Sequence, residues 1–204
     1  MKKQRMPVVI LDKFVPAESV HYCHELLYRY GFKLRITKSR KTKLGDYRFL
    51  ASEKKHLITI NHDLNPYQFL ITYIHEVAHL VTFERYQNRV RPHGEEWKHN
   101  FKYLLNPMIE IGVFPHDLTL AIEKYMSNPK ASSCADPYLF RALSNYDQKI
   151  DGELLLSEID PGGVFQFNDR LFQKEEKKRT RSICLELKTG KKYLIPEIAT
   201  VKVK

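Results

Sequence analysis

The chain has 204 residues, of which 43% are hydrophobic and 28% charged, enough for one medium domain with an appendage and without the repeats or biased tracts of a fibrous or disordered protein. The formal net charge of +10 is uneven: residues 1–60 hold 14 Lys/Arg against 5 Asp/Glu, residues 61–128 hold 6 against 8, residues 129–160 hold 3 against 6, and residues 161–204 hold 11 against 5. Basic flanks around a near-neutral centre suit a polyanionic partner, nucleic acid first, and equally suit a solvated surface kept for solubility.

Three cysteines, Cys23, Cys134 and Cys184, form no CxxC pair, which argues against a disulfide framework and against a cysteine zinc ribbon. The first apolar run, "VVIL", is too short for the apolar region of a signal peptide, and no segment reaches the roughly 20 apolar residues of a bilayer span. A soluble cytoplasmic protein with no membrane partner is expected.

In chain order, "PAESVHYCHELLYRYG" predicts a helix, with Val20, Cys23, Leu26, Leu27 and Tyr30 at helical spacing and Gly31 as its C-terminal cap. The period then changes. "FKLRITKS", "LGDYRFLA" and "HLITIN" predict three short strands separated by the basic runs "RKTK" and "SEKK". Asn65 and Pro66 give a start signal for a long helix to about Arg89. On it Leu70, Tyr73, Ile74, Val77, Ala78 and Val81 form an apolar stripe, while Thr72, His75, His79, Thr82 and Tyr86 lie opposite. That pattern predicts histidines facing a cleft away from the core.

A further helix follows "RPHG", carries Trp97, Phe101, Leu104 and Leu105, and is predicted to end at Asn106 and Pro107. "HDLTLAIEKYMSN" predicts another, capped by Asp117. The domain reading is 1–126 for the α+β domain, 127–160 for a linker or irregular region, and 161–204 for a small β-rich module packed by Phe165, Phe167, Phe172, Ile183, Leu185, Leu187, Tyr193 and Ile195. The basic run "KKRTR" in that module is a candidate phosphate contact or a solvated charge run.

The chemistry concentrates in "YIHEVAHLV", Tyr73 to Val81. Residues four apart on a helix share a face, so His75 and His79 project side by side, as two imidazoles must to share one metal ion. Glu76 stands about 100° round the helix from His75, beside the pair, where it can reach a metal-activated water without being a ligand. HExxH on a helix is a zinc-hydrolase signature with the glutamate as general base.

A catalytic zinc takes three protein ligands. The HExxHxxGxxH pattern is absent, since Thr82 and Arg85 occupy its glycine and third-histidine positions. His93 in "RPHGEEW" is the best placed third donor, because Gly94 permits a close turn back over the pair. Glu95, Glu96 and Glu110 are the alternatives. The other histidines, and Met108, read as surface or packing residues, and Trp97 as packing between helices.

Together "ITINHDLNPYQFLITYIHEVAHLV" and "HGEEWK" resemble the SprT family of zinc metalloprotease-like proteins, which includes the Spartan proteases, over roughly residues 15–125. The resemblance implies a small α+β zincin domain, one catalytic Zn2+ on His75, His79 and His93, and Glu76 as the catalytic glutamate. Many members carry a C-terminal zinc ribbon with two cysteine pairs. The tail here has Cys184 alone, so a degenerate ribbon shape without a second structural zinc is expected.

The function expected is a zinc-dependent metallopeptidase acting on a protein substrate on or near DNA, through a zinc-activated water with Glu76 as general base. The basic flanks would supply the nucleic-acid contact, and Tyr86 or Tyr103 the oxyanion donor. The rival reading is a nucleic-acid-associated regulatory protein, tied to transcription, with a structural or weakly active zinc site.

Overall fold

The computed structural model describes residues 11–40, 42–130, 136–148 and 152–203. The basic N-terminal run, Lys41 and Cys134 lie outside the described residues. The chain divides into two compact units, Met1–Asp147 and Gln148–Lys204. No described helix is long and apolar enough to cross a membrane.

In the first unit, α1 (Val20–Tyr30) stops at Gly31, whose φ of 58° is the left-handed cap conformation glycine adopts without penalty. Three strands follow, β1 (Lys33–Thr37), β2 (Gly45–Leu50) and β3 (Lys55–Asn61). They form a sheet in the order β1-β3-β2, with β1 parallel and β2 antiparallel to the central β3. Their apolar alternation puts Ile58 and Ile60 into the core.

The core element is α2 (Pro66–Tyr86). Asn65 caps it by accepting the Gln68 N–H at 2.9 Å, and Pro66 occupies its first turn. Every residue from Gln68 to Thr82 except His79 is buried. The expected cleft-facing polar side is therefore covered: α3 (Glu95–Glu110) lays Trp97 and Phe101 over it, both fully buried, and Asn100 bonds Thr82 Oγ1 at 2.9 Å. A helix buried all round must satisfy its polar groups internally, and Thr72 and Thr82 do so by donating to the carbonyls of Gln68 and Ala78.

Three local expectations are corrected. Pro107 does not end α3, which runs on to Glu110: the missing N–H costs one bond, while buried Met108 and the Asn106–Glu110 hydrogen bond hold the extra turn. Asp117 does not cap α4 (His116–Ser127). It lies in the first turn and accepts the Tyr146 hydroxyl, and Pro115 holds the cap position. The expected linker contains α5 (Pro137–Ser144), capped by Asp136, which accepts the N–H groups of Tyr138 and Leu139. Leu139 and Leu143 anchor α5 in the core of the first unit, and Asn65 Nδ2 ties α2 to the Leu143 carbonyl and the Asp147 carboxylate.

The second unit is one antiparallel sheet in the order β4-β9-β5-β6-β7-β8, larger than the ribbon expected. Its strands are β4 (Glu153–Leu155), β5 (Val164–Phe167), β6 (Arg170–Lys177), β7 (Arg181–Glu186), β8 (Lys192–Pro196) and β9 (Thr200–Val203). Phe165, Phe172 and Ile195 are buried as expected, joined by Leu156, Ile159, Cys184 and Val201. On β7 the inward set is Ser182, Cys184 and Glu186, so Ile183, Leu185 and Leu187 are not the buried face. The polar residues turn inward because they have partners there: Ser182 bonds Glu197, and Glu186 bonds Arg170 and Thr189.

Candidate metal centre

His75 and His79, one turn apart on α2, bring their Nε2 atoms within 3.1 Å. The His93 Nε2 stands 2.9 Å from that of His79 and 3.2 Å from that of His75. Protons cannot satisfy this triangle. Each nitrogen carries either a hydrogen or a lone pair, so among three corners at least two are alike and face each other unbonded. A single cation drawing on three lone pairs removes the conflict. Zinc–nitrogen bonds of about 2.0–2.1 Å at tetrahedral angles place their donors about 3.3 Å apart, close to the spacing found, so these residues fit the ion. Among the described residues they are the group of His, Cys, Asp or Glu whose ligand atoms converge, all within 4.8 Å.

The electrostatics agree. Burial, then the charges of His79 and His93, drive the His75 pKa well below its ordinary value; burial and then His93 lower His79 to about 3; burial lowers His93. All three imidazoles are therefore neutral near pH 7, the form that offers a lone pair to a metal.

The approach of His93 differs from expectation. Gly94 is extended, with φ −70° and ψ −175°, and serves as the N-cap of α3, while His93 itself takes the left-handed conformation at φ 58°. Histidine tolerates that region better than most side chains. The Gly94 N–H closes the turn on the Arg91 carbonyl at 2.9 Å. None of the alternative donors joins the converging group among the described residues: Glu95 is exposed and paired with Lys98, Glu96 lies beside Gly94, and Glu110 is bonded by Asn106 at the far end of α3.

Trp97 is the wall of the site. Its ring centroid lies 4.6 Å from His75, 5.3 Å from His79 and 4.7 Å from His93, and it stacks on Phe101 at 5.1 Å. The packing role expected of it thus falls on the histidines as well as on the helix pair.

Glu76 is 6% exposed. Burial first, then the Asp46 carboxylate, raise its pKa to about 8, against the Tyr47 backbone N–H and the charges of Arg40 and Lys43. A carboxyl poised near neutrality can both take and return a proton. None of these neighbours was legible as part of the site, because Arg40 and Lys43 read as charge in a linking run and Asp46 and Tyr47 as strand residues.

Of the tyrosines suggested as oxyanion donors, Tyr103 is 68% exposed and lines a groove with Tyr22, Glu25 and Arg29 beside α1. Tyr86 is partly exposed at the end of α2. His21, His62, His99 and His116 are exposed; His24 faces Asp12, and His56 meets the Tyr47 hydroxyl at 2.9 Å.

Residues 18–111 match the SprT-like family model. Protein SprT of Vibrio parahaemolyticus serotype O3:K6 (strain RIMD 2210633) is 42% identical over 64 residues, which cover 31% of this chain and 38% of that protein's length. No solved structure matches the chain.

Proposed function

We propose, from the match of residues 18–111 to the SprT-like family model, that this chain is a zinc-dependent metallopeptidase in which His75, His79 and His93 hold the ion and Glu76 is the general base. The observation that carries the reading is the triangle of Nε2 atoms, 2.9–3.2 Å on a side, with a buried carboxyl on the next residue of the same helix. When bound, zinc supplies Lewis acidity to a water and to the scissile carbonyl. Glu76 takes the proton of the water as it attacks, and returns it to the leaving amine.

The test is metal content by mass spectrometry together with casein or histone cleavage. Wild type is expected to hold one zinc, and Glu76→Gln to keep it while kcat falls by about 10²–10⁴. A wild type without metal sinks the reading. The rival, a regulatory protein with a structural zinc, draws on the enclosure of the site, with His75 and Glu76 both under 10% exposed. Zinc without cleavage in either protein would favour it.

The basic flanks support an action near nucleic acid. Retention on duplex DNA is then expected to fall steeply with salt, by about 10³–10⁵ between 50 and 200 mM if six to ten phosphates are contacted. Retention that ignores salt would remove the charge argument.

A further inference from the structure

The Glu76 carboxylate is confined by residues outside α2, and their placement traces to one side chain. Asn61, the last residue of β3, is 1% exposed. Its Nδ2 donates to the carbonyls of Arg40 at 3.2 Å and Lys43 at 3.0 Å, and its Oδ1 accepts from Arg40 Nε at 2.8 Å. Its backbone N–H goes to the Leu44 carbonyl at 2.9 Å. Arg40 adds a bond to Thr59 Oγ1 at 2.9 Å. Three carbonyls of the segment that enters β2 therefore end on Asn61.

What that segment delivers is Gly45. A Cβ there would stand 2.6 Å from Glu76 Oε1 and 2.8 Å from both Glu76 Cγ and Thr72 Cγ2, so only a hydrogen fits and the β2 backbone lies directly on the carboxylate. Leu44 turns its carbonyl inward to Asn61, and antiparallel alternation then directs the backbone groups of Gly45 and Tyr47 away from β3 to the free edge of the sheet, while Gly45 itself lies against Glu76. The six-residue ladder between β2 and β3 suffices to pair the strands. The additional bonds of Asn61 fix where the strand begins relative to α2.

We infer that Asn61 is a positioning residue for Glu76: by pinning the entry to β2 it holds Gly45 and Tyr47 against the carboxylate and sets its place beside the three histidines. The effect on cleavage rests on the reading of Glu76 as general base; the geometry is tested without it. The experiment uses the full chain, with zinc affinity from chelator competition, casein kinetics, and amide spectra by 1H–15N NMR.

In Glu76→Ala the Tyr47 amide resonance is expected to move, and in Asn61→Ala and Gly45→Ala to move in the same direction while the Ile58 and Ile60 amides stay in place. Zinc affinity should remain within about threefold of wild type, since the three donors are untouched, while kcat falls roughly 10–100-fold with KM unchanged. An unmoved Tyr47 amide in Asn61→Ala overturns the inference, and so does a loss of dispersion across the whole sheet in both variants, which marks Asn61 as merely structural. If Asn61→Ala fails to fold, Asn61→Asp decides, because it keeps the acceptor for Arg40 Nε and removes only the two donors to the Arg40 and Lys43 carbonyls. A wild type that binds no zinc removes the functional reading and leaves the Tyr47 result standing.

Discussion

Replacing His93 by alanine is expected to weaken zinc binding by at least 100-fold and to abolish cleavage. Structural zinc sites gain about 10–16 kcal/mol from their donors together, so losing one of three protein donors costs on the order of 3 kcal/mol. The chain carries its own reporter. Trp97 is the only tryptophan, and its ring lies within 5.3 Å of all three imidazoles, so a paramagnetic ion such as cobalt(II) bound there should quench its emission. Wild type is expected to titrate to a quenched plateau and His93→Ala to show none at the same concentrations. His93→Asn separates ligand from backbone, because asparagine also tolerates the left-handed conformation found at φ 58°. It should lose the metal with the loop intact. Equal quenching in all three proteins would remove His93 from the ligand set.

Much of the first unit was legible because local signals and tertiary packing agree in it. β1 and β2 lie within the stretches read from alternation, β3 begins one residue before its own, at Lys55, and Gly31 and Asn65–Pro66 mark helix ends where capping chemistry puts them. The same chemistry was missed at Asp136–Pro137, a start signal of identical form, because the surrounding Pro, Ser and Asn read as irregular and the eight-residue helix has too few turns to show its period. The histidine pair was legible from spacing alone, and the convergence of His93 was suggested by sequence without being fixed by it.

What periodicity could not give was the environment of the pair. A helix stripe reports which side is apolar, not whether a second helix covers the other side, so burial under Trp97 and Phe101 came only with the fold. Nor could it give the setting of Glu76, where Asn61 and Gly45 act through backbone geometry that leaves no pattern in the sequence. The same blindness put Ile183 and Leu185 inside β7, because alternation fixes two faces and not which of them is turned inward.

The residues that reverse that strand carry the second large effect: Glu197→Ala is expected to unfold the unit Gln148–Lys204. Lys174 is 4% exposed, donates from Nζ to the carbonyls of Leu156 and Ile159 at 2.8 and 2.9 Å, and faces Glu197 Oε1 at 3.3 Å. Glu197 is 5% exposed and also accepts from Ser182 at 2.5 Å. Removing the carboxylate leaves a buried ammonium without its counter-charge, a cost of about 3–5 kcal/mol. A unit of this length is stable by only about 3–9 kcal/mol. Replacing both partners, Lys174→Met with Glu197→Leu, should restore most of the loss, since well-packed apolar pairs substitute for buried ion pairs at little cost.

Acid should reproduce part of the effect. Burial pushes the Glu197 pKa up, but the Ser182 hydroxyl and the ammonium groups of Lys174 and Lys177 outweigh it and hold the carboxyl below its ordinary value. A depressed folded pKa means that the pair's contribution is complete above the unfolded value, about 4.3, and is lost as pH falls through the folded one. Trp97 lies in the other unit, so the measurement is hydrogen exchange at the amides of β6 and β7 in the full chain. Fast exchange there in Glu197→Ala, with α2 still protected, is the expected result. Unchanged protection would mean that Lys174 finds water or another acceptor, and that the inward turn of Ser182 and Glu186 has a different cause.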